Sequence, residues 1–261
     1  MNSKTNKIVS TVDKEATNLL VKVLNKITTK KLKKKKKDVI LFFCAHNDDQ
    51  LLGGGGTIRK YVDEGKEVFT YIFSFGETSH PHLKPNYVAK MREKESIKAS
   101  EILGDKIQNF GVEEGRFLEF IRPNDIARII KKRNPVKIFT HSPDDPHPDH
   151  QAVFKLVIEA VNILKYKKDL FSFDIWNIFS LKTREFPKLV VDISDTFRYK
   201  NKAFDKHKSQ LNTKVTLGWN FYIKAVFNGW NNHCKYAEIF HKINPNEYSF
   251  PNVHKRVKPK K

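Results

Sequence analysis

Cysteine is scarce in this chain of 261 residues, which contains only Cys44 and Cys234. Two distant cysteines form no disulfide framework, and such usage is typical of a reducing compartment. Long apolar runs are missing as well: no stretch approaches the ~20 residues that a membrane span needs, and the N-terminus lacks the compact apolar stretch of a signal peptide. We therefore expect a cytoplasmic protein, long enough for one α/β domain with extensions.

Acidic residues are too few to balance the basic ones: 29 Asp and Glu face 49 Lys and Arg, which gives a formal charge of +20. Dense basic runs occur near both ends, and we predict three parts: a basic N-terminal segment at 1–37, a domain at 38–243 and a basic tail at 244–261. Such charge attracts nucleic acid, anionic lipid or phosphorylated substrates. A solvated basic surface without a partner is the other interpretation. No recognised nucleic-acid motif is present, so nucleic-acid binding ranks low.

Residues 1–29 are predicted to form a helix, because apolar residues recur at helical spacing from Val12 to Ile27. Two interpretations stay open. In the first, the apolar stripe packs on the flank of the main domain. In the second, this basic helix lies on an anionic membrane, which would place the protein peripherally at the inner membrane surface.

Apolar runs alternate with amphipathic stretches from residue 39 onward, which is the pattern of a Rossmann-like, doubly wound, mainly parallel sheet flanked by helices. Strands are predicted at 39–44, 68–75, 107–110, 136–141, 172–180, 188–193 and 236–242, the last of them a strand or turn. Helices are predicted at 54–65, 86–103, 123–133, 149–165 and 194–210. The segment 214–233, rich in Trp and Asn, is expected to be a loop or a broken helix.

Two polar motifs follow predicted strands directly. Ala45-His46-Asn47-Asp48-Asp49-Gln50 comes after the first strand, and the run from His141 to His150, which ends His147-Pro148-Asp149-His150, comes after the strand at 136–141. Ligands of such sheets bind beyond the carboxyl ends of the strands. We therefore expect the two motifs to converge at one edge of the sheet.

Imidazole and carboxylate side chains suit zinc, and a catalytic zinc keeps an open position for water. Side chains of the adjacent Asp48 and Asp49 diverge, so one can bind the metal while the other acts as general base on water. His147 could face the oxyanion or the leaving group. The competing interpretation is a pair of loops rich in Asp, Asn and Pro with incidental histidines.

The pair of motifs resembles the signature of the PIG-L/LmbE-like de-N-acetylase family, whose usual motifs are Ala-His-Pro-Asp-Asp-Glu and His-Pro-Asp-His. Further resemblances extend over residues 38–243. They comprise Gly53 to Thr57, Gly76-Glu77, the helix with Arg92 and Glu95, the helix from Lys202 to Gln210, and Tyr236 to Phe240.

This resemblance implies a zinc-dependent N-deacetylase, with another divalent metal such as Fe2+ as an option. His46, Asp49 and His150 would bind the metal, Asp48 would be the general base, and His147 would stabilise charge or donate a proton. Asp149 would orient a histidine. The implied substrate is an N-acetylglucosamine-type amino sugar or a conjugate of one, and the oligomeric state stays open.

Three positions depart from the family pattern. Asn47 replaces a proline, and Gln50 replaces a glutamate that is expected to pair with Arg92, so an ionic partner is lost. Asp145 stands where some members have a tyrosine as a possible general acid, so His147 is the expected general acid here. With Glu77, these residues complete the predicted surroundings of the site. A weakly active or inactive relative that binds a sugar or a metal is therefore the alternative function.

Two more features have competing interpretations. Gly53 to Gly56 lack the ending of a phosphate loop, and we expect them to permit close backbone approach near the metal. The aromatic residues Trp219, Tyr222, Phe227 and Trp230 would form either core packing or a sugar-stacking wall.

Overall fold

The structure, a computed structural model, describes residues 37–80, 82–176 and 187–250 together with Leu19, Val21 and Lys22, and only the backbone of 210–220. Two compact units divide the chain, Met1–Lys37 and Asp38–Lys261. Most of the predicted helix at 1–29 and the end of the tail lie outside the described residues. Among the residues described, no helix combines the length and apolar character needed to cross a membrane.

Seven strands form one sheet in the second unit. They are β1 (Val39–Cys44), β2 (Glu67–Ile72), β3 (Lys106–Asn109), β4 (Lys137–His141), β5 (Asp169–Phe173), β6 (Lys188–Asp192) and β7 (Ala237–Lys242). Their order is β3-β2-β1-β4-β5-β7-β6. Strands β1 to β5 pair in parallel, and β7 runs antiparallel to β5 and β6. The predicted doubly wound, mainly parallel sheet is confirmed.

In the part of the chain that the structure describes, seven α-helices accompany the sheet. They are α1 (Asp49–Asp63), α2 (Pro85–Leu103), α3 (Phe117–Phe120), α4 (Pro123–Arg133), α5 (Pro148–Ile163), α6 (Phe197–Phe204) and α7 (Leu211–Asn231). Short 3-10 turns occur at Glu77–Ser79, Lys208–Gln210 and Pro245–Glu247.

Strand β1 explains why helices cover both faces of the sheet. All six of its residues are buried, and they alternate between two hydrophobic cores. Leu41 and Phe43 join a core with residues of α4 and α5, whereas Ile40 and Phe42 join one with residues of α1, α2 and α6. A strand that is buried on both faces has a continuous run of apolar residues in the sequence, and this run made β1 predictable.

Several boundaries differ from the prediction. Helix α1 begins at Asp49 rather than 54, β5 spans 169–173 rather than 172–180, and the helix predicted at 194–210 is shortened to α6. The expected loop or broken helix at 214–233 is the long helix α7. Its Trp and Asn content lowers helix propensity, but packing of an amphipathic face outweighs propensity in proteins.

Helix α1 is interrupted at Gly54, whose dihedral angles are not helical, and a buried ion pair spans the break. Lys200 Nζ donates to Leu52 O (2.9 Å) before the break. Glu238 accepts from the backbone N–H groups of Gly56 (3.1 Å) and Thr57 (2.7 Å) after it. Lys200 and Glu238 lie 2.7 Å apart, so α6 and β7 jointly satisfy backbone groups that the break leaves without helical partners.

The glycines of α1 permit a close backbone approach, as expected, and the groups that they approach are side chains of the core. A Cβ at Gly53 would lie 2.4 Å from the Phe173 ring, and one at Gly56 would lie 2.7 Å from Ile193. These separations are too short for real Cβ contacts. Glycine is therefore required by the approach of the helix to hydrophobic side chains.

Candidate metal centre

The two motifs meet where the winding of the sheet reverses. Strands β1 and β4 are neighbours, with β2 beyond one and β5 beyond the other. Connections leave the two strands in opposite directions, and such a switch point opens a crevice beyond the strand ends. His46 follows β1, and His150 lies in the first turn of α5 after β4. The predicted convergence of the motifs is observed.

Three side chains form a compact set of metal-ligand atoms: His46, Asp49 and His150 each offer one atom within 4.8 Å of the others. Asp49 lies between the histidines, with Oδ2 3.6 Å from His46 Nδ1 and Oδ1 3.4 Å from His150 Nε2. All three residues are buried. Two imidazoles and one carboxylate in this arrangement fit a divalent cation such as zinc.

Each histidine of this set has a second carboxylate next to the ring nitrogen that points away from Asp49. Asp149 Oδ2 lies 3.2 Å from His46 Nε2, and Asp145 Oδ1 lies 3.0 Å from His150 Nδ1. In both rings the other nitrogen faces Asp49. Carboxylates placed in this way fix the tautomer and orientation of metal-binding histidines, so the structure gives Asp145 and Asp149 the geometry of orienting residues.

The pocket is strongly negative. Burial raises the pKa of Asp49, but the charge of His150 and the close contact of His141, whose Nε2 lies 3.2 Å from Asp49 Oδ2, outweigh burial and hold that pKa well below its usual value. Burial lowers the pKa of His150, yet Asp49 and Asp145 raise it to about 10. A pocket that stabilises a proton this well attracts cations in general, and a metal would take the place of the proton.

Asp48 directly precedes α1 without a capping hydrogen bond from its side chain, and it pairs with Arg92, whose Nη2 lies 3.3 Å from Asp48 Oδ1. Arg92 Nη1 also donates to Gly76 O (2.8 Å). Gly76 has a φ of 71°, and a Cβ there would lie 1.7 Å from Arg92 Nη1. Only glycine combines this left-handed backbone with room for the guanidinium.

The expected pairing of position 50 with Arg92 is wrong. Gln50 is fully buried, and neither of its side-chain polar atoms has a hydrogen-bond partner among the described residues. The carboxylate that neutralises Arg92 is Asp48 instead. The amide at position 50 therefore leaves this ion pair intact.

His147 caps the start of α5, and its Nδ1 accepts a hydrogen bond from the backbone N–H of Asp149 (3.2 Å). An accepting Nδ1 leaves the proton on Nε2. Its ring centroid lies 5.0 Å from that of His46 and 4.7 Å from that of His150. Burial, followed by the charges of His150 and His46, lowers the pKa of His147. The ring is therefore a neutral hydrogen-bond donor at the rim of the centre.

Glu114 belongs to the centre although the sequence did not single it out. Its Oε1 lies 3.3 Å from His46 Nε2, and its backbone N–H donates to Glu77 Oε1 (3.1 Å). Glu77 thus contacts the loop that carries Glu114, not the three ligand residues themselves. Glu114 follows β3 at the same edge of the sheet, so the strand-end rule could have identified it.

His141 is the second residue without a predicted role. It ends β4, is fully buried and stacks on His150 with ring centroids 3.9 Å apart. Its Nε2 accepts from the backbone N–H of Ala45 (2.9 Å). Burial, then the charge of His150, lowers its pKa to about 4. His141 therefore stays neutral and links the first motif to β4.

Comparison with known proteins gives a family match and a set of similar folds. The model of the PIG-L family, described as GlcNAc-PI de-N-acetylase, matches residues 41–161. The N,N'-diacetylchitobiose deacetylase of Pyrococcus horikoshii is 24% identical, with 87% of this chain and 94% of that chain covered and a TM-score of 0.67.

Two further solved structures show how varied the proteins with this fold are. The 4-carboxy-2-hydroxymuconate hydratase of Pseudomonas putida is 19% identical, with 80% and 97% of the two chains covered and a TM-score of 0.69. A teicoplanin deacetylase in a zinc-inhibited form is 19% identical, with 78% and 97% covered and a TM-score of 0.64. Likeness at these identities shows the shared fold.

Proposed function

We propose that this chain, whose residues 41–161 match the model of the PIG-L family of de-N-acetylases, is a metal-dependent hydrolase. It removes an acyl group from an N-acetylglucosamine-type amino sugar or a conjugate of one, and the expected acyl group is acetyl. The observation that carries the proposal is the buried set of His46, Asp49 and His150 with a further carboxylate, Asp48, beside it. The solved deacetylases of the same fold support the same reaction class.

Each residue of the site has a separate role in this reaction. His46, Asp49 and His150 would hold the metal, which when bound polarises the amide carbonyl and lowers the pKa of water. Asp48, kept in place by Arg92, takes a proton from the attacking water. The amide C–N bond then breaks, and Asp48 passes that proton to the leaving amine, so that acetate and a free amino sugar result.

His147 stabilises the negative charge of the oxyanion and does not donate the proton to the leaving amine. Its Nδ1 already accepts a hydrogen bond from Asp149 N, and a doubly protonated ring would have to give up that bond because both ring nitrogens would then be donors. Its Nε2–H can donate to the developing oxyanion. One such donor contributes about 10²–10³-fold in rate in other acyl-transfer enzymes.

A panel of N-acetyl sugars tests this proposal, with the purified protein loaded with zinc and acetate measured. We expect release from at least one N-acetylglucosamine derivative. The variant Asp48→Asn should lose about 10²–10⁴-fold in rate while its zinc content, measured by mass spectrometry, stays unchanged. Asp144→Asn is the control, since Asp144 is an exposed carboxylate of the other site loop, the one after β4, and should leave the rate unchanged.

A second candidate function is that of a relative that binds metal and sugar with little turnover. The observation favouring it is Gln50, a buried amide whose polar atoms lack hydrogen-bond partners among the residues described. Zinc binding without acetate release from any amide substrate would support this function and exclude the hydrolase. The hydratase of the same fold is the reason to include substrates without an amide in the panel.

A further inference from the structure

One side of helix α7 packs against the rest of the domain. Phe221 packs against Phe204, with ring centroids 4.7 Å apart, and Ala225 is buried in the core shared by α1 and α6. Lys224 Nζ donates to the backbone O of Asp174 (3.2 Å). Asp174 directly follows β5, so the middle of α7 lies beside the carboxyl edge of the sheet, where the metal centre also lies.

The opposite side of α7 carries large apolar side chains in solvent. Ile223, Val226, Phe227 and Trp230 are 52%, 39%, 55% and 76% exposed. Their spacing of three and four residues places them on one helical face, which we call the outer face of α7. Single exposed apolar residues are ordinary, whereas several adjacent ones mark an interaction surface.

Charge decides between the partners that this surface could bind. Asp205 is the only acidic residue between Phe197 and Tyr236, and Lys202, Lys206, Lys208 and Lys235 are exposed. A second copy of the chain, itself at +20, would bring like charges together. An anionic lipid surface attracts lysines and accepts Trp, Phe and Ile at the boundary of head groups and acyl chains.

We propose that the outer face of α7 docks on the surface of an anionic lipid bilayer. The helix lies in the interface with Phe227 and Trp230 inserted, and the net positive charge of the segment from Phe197 to Tyr236 attracts it to the anionic surface. Trp176 is also exposed (44%) and lies two residues after Asp174, whose backbone O accepts from Lys224. This inference does not rest on the proposed hydrolase activity. If both hold, the metal centre opens at the sheet edge beside which the docked helix lies.

Vesicles and the tryptophan emission of the full chain test this proposal. The three tryptophans, Trp176, Trp219 and Trp230, follow β5 or belong to α7, and none occurs in residues 1–37. Their emission therefore reports this region and not the basic N-terminal segment. We expect sedimentation and a blue-shifted emission with phosphatidylserine–phosphatidylcholine vesicles, both weakened by salt, and neither effect with phosphatidylcholine alone.

A pair of double variants supplies the matched control. Ile223→Ser with Phe227→Ser keeps every tryptophan and should weaken vesicle binding about tenfold or more, because two apolar anchors are lost. Tyr87→Ser with Phe120→Ser removes two side chains that are 61% and 58% exposed elsewhere and should change nothing. Circular dichroism should show both variants folded, since all four positions are exposed.

Three outcomes would overturn the proposal. Sedimentation with unchanged tryptophan emission would mean that another segment binds the lipid. Equal binding by the two double variants would mean that the outer face contributes nothing. Self-association of the wild type in ultracentrifugation, lost in the Ile223/Phe227 variant, would identify a second copy as the partner.

Discussion

Arg92 holds Asp48 in a buried ion pair, with Nη2 3.3 Å from Oδ1, and the same guanidinium reaches Gly76 O at 2.8 Å. The proposed base is thereby connected to helix α2 and to the turn after β2. Arg92 is 3% exposed, so water screens the pair little. The position of the carboxylate is fixed from outside its own loop.

Replacement of Arg92 by Lys should lower kcat about 10²-fold, because one ammonium cannot hold Asp48 and Gly76 O together and a displaced base costs about that much. Acetate release measures the rate, and zinc content should stay near one per chain. Lys60→Arg, on the exposed side of α1, is the control and should be neutral. An unchanged kcat in Arg92→Lys would contradict the positioning role.

Substitution of His147 separates its two proposed roles. If the ring donates a hydrogen bond to the oxyanion, His147→Gln should be more active than His147→Ala, since the amide NH2 is also a donor. We expect about a tenfold difference in kcat at constant zinc content, within the 10²–10³-fold that one donor contributes. Equal loss in both variants would instead indicate a proton donor.

Asp145 should control metal affinity through His150. With Asp145→Asn we expect zinc Kd to rise about 10–100-fold, as for other residues behind metal-binding histidines. Competition with a chromophoric chelator measures the Kd. The thermal stabilisation given by a fixed zinc concentration should fall with it, by about 1.4 kcal/mol for each tenfold. Asp144→Asn should bind zinc as the wild type does, and a similar loss there would point to loop disruption.

The ion pair of Lys200 and Glu238 should matter for stability more than any exposed pair. Lys200→Met leaves Glu238 buried without its cation, and such a change costs about 3–5 kcal/mol in the free energy of unfolding, measured by urea titration. Lys106→Met removes the exposed pair with Glu67 and should cost about 0–1 kcal/mol. Comparable losses in the two variants would refute this difference.

The part of the fold that the sequence predicted best is the parallel half of the sheet. Leu41, Phe43 and their neighbours form an unbroken apolar run because both faces of β1 are buried. Strand-end topology then brought His46 and His150 together correctly. In α7 the same reasoning failed, because the helix is held by contacts of Phe221 with Phe204, which are distant pairings that no local pattern reveals.

The residues that contact the proposed ligands are harder to predict from the sequence than the proposed ligands themselves. The sequence predicts that Asp145 belongs to the surroundings of the site, but not that its Oδ1 lies 3.0 Å from His150 Nδ1. The strand-end rule places Glu114, which follows β3, at the right edge of the sheet, but its approach to His46 also depends on the hydrogen bond of its backbone to Glu77. Such relations arise between loops of different strands, and single-sequence spacing carries no information about them.

The break in helix α1 is stabilised by residues that lie far away in the sequence. Asp49 opens this helix, while the atoms that close its break come from Lys200 and Glu238, beyond the end of the family match at residue 161. The matched segment therefore lacks some of the contacts that stabilise its own first helix. The last third of the sequence supports a proposed ligand set of which His46 and Asp49 lie in the first half of the chain and His150 lies just beyond its midpoint.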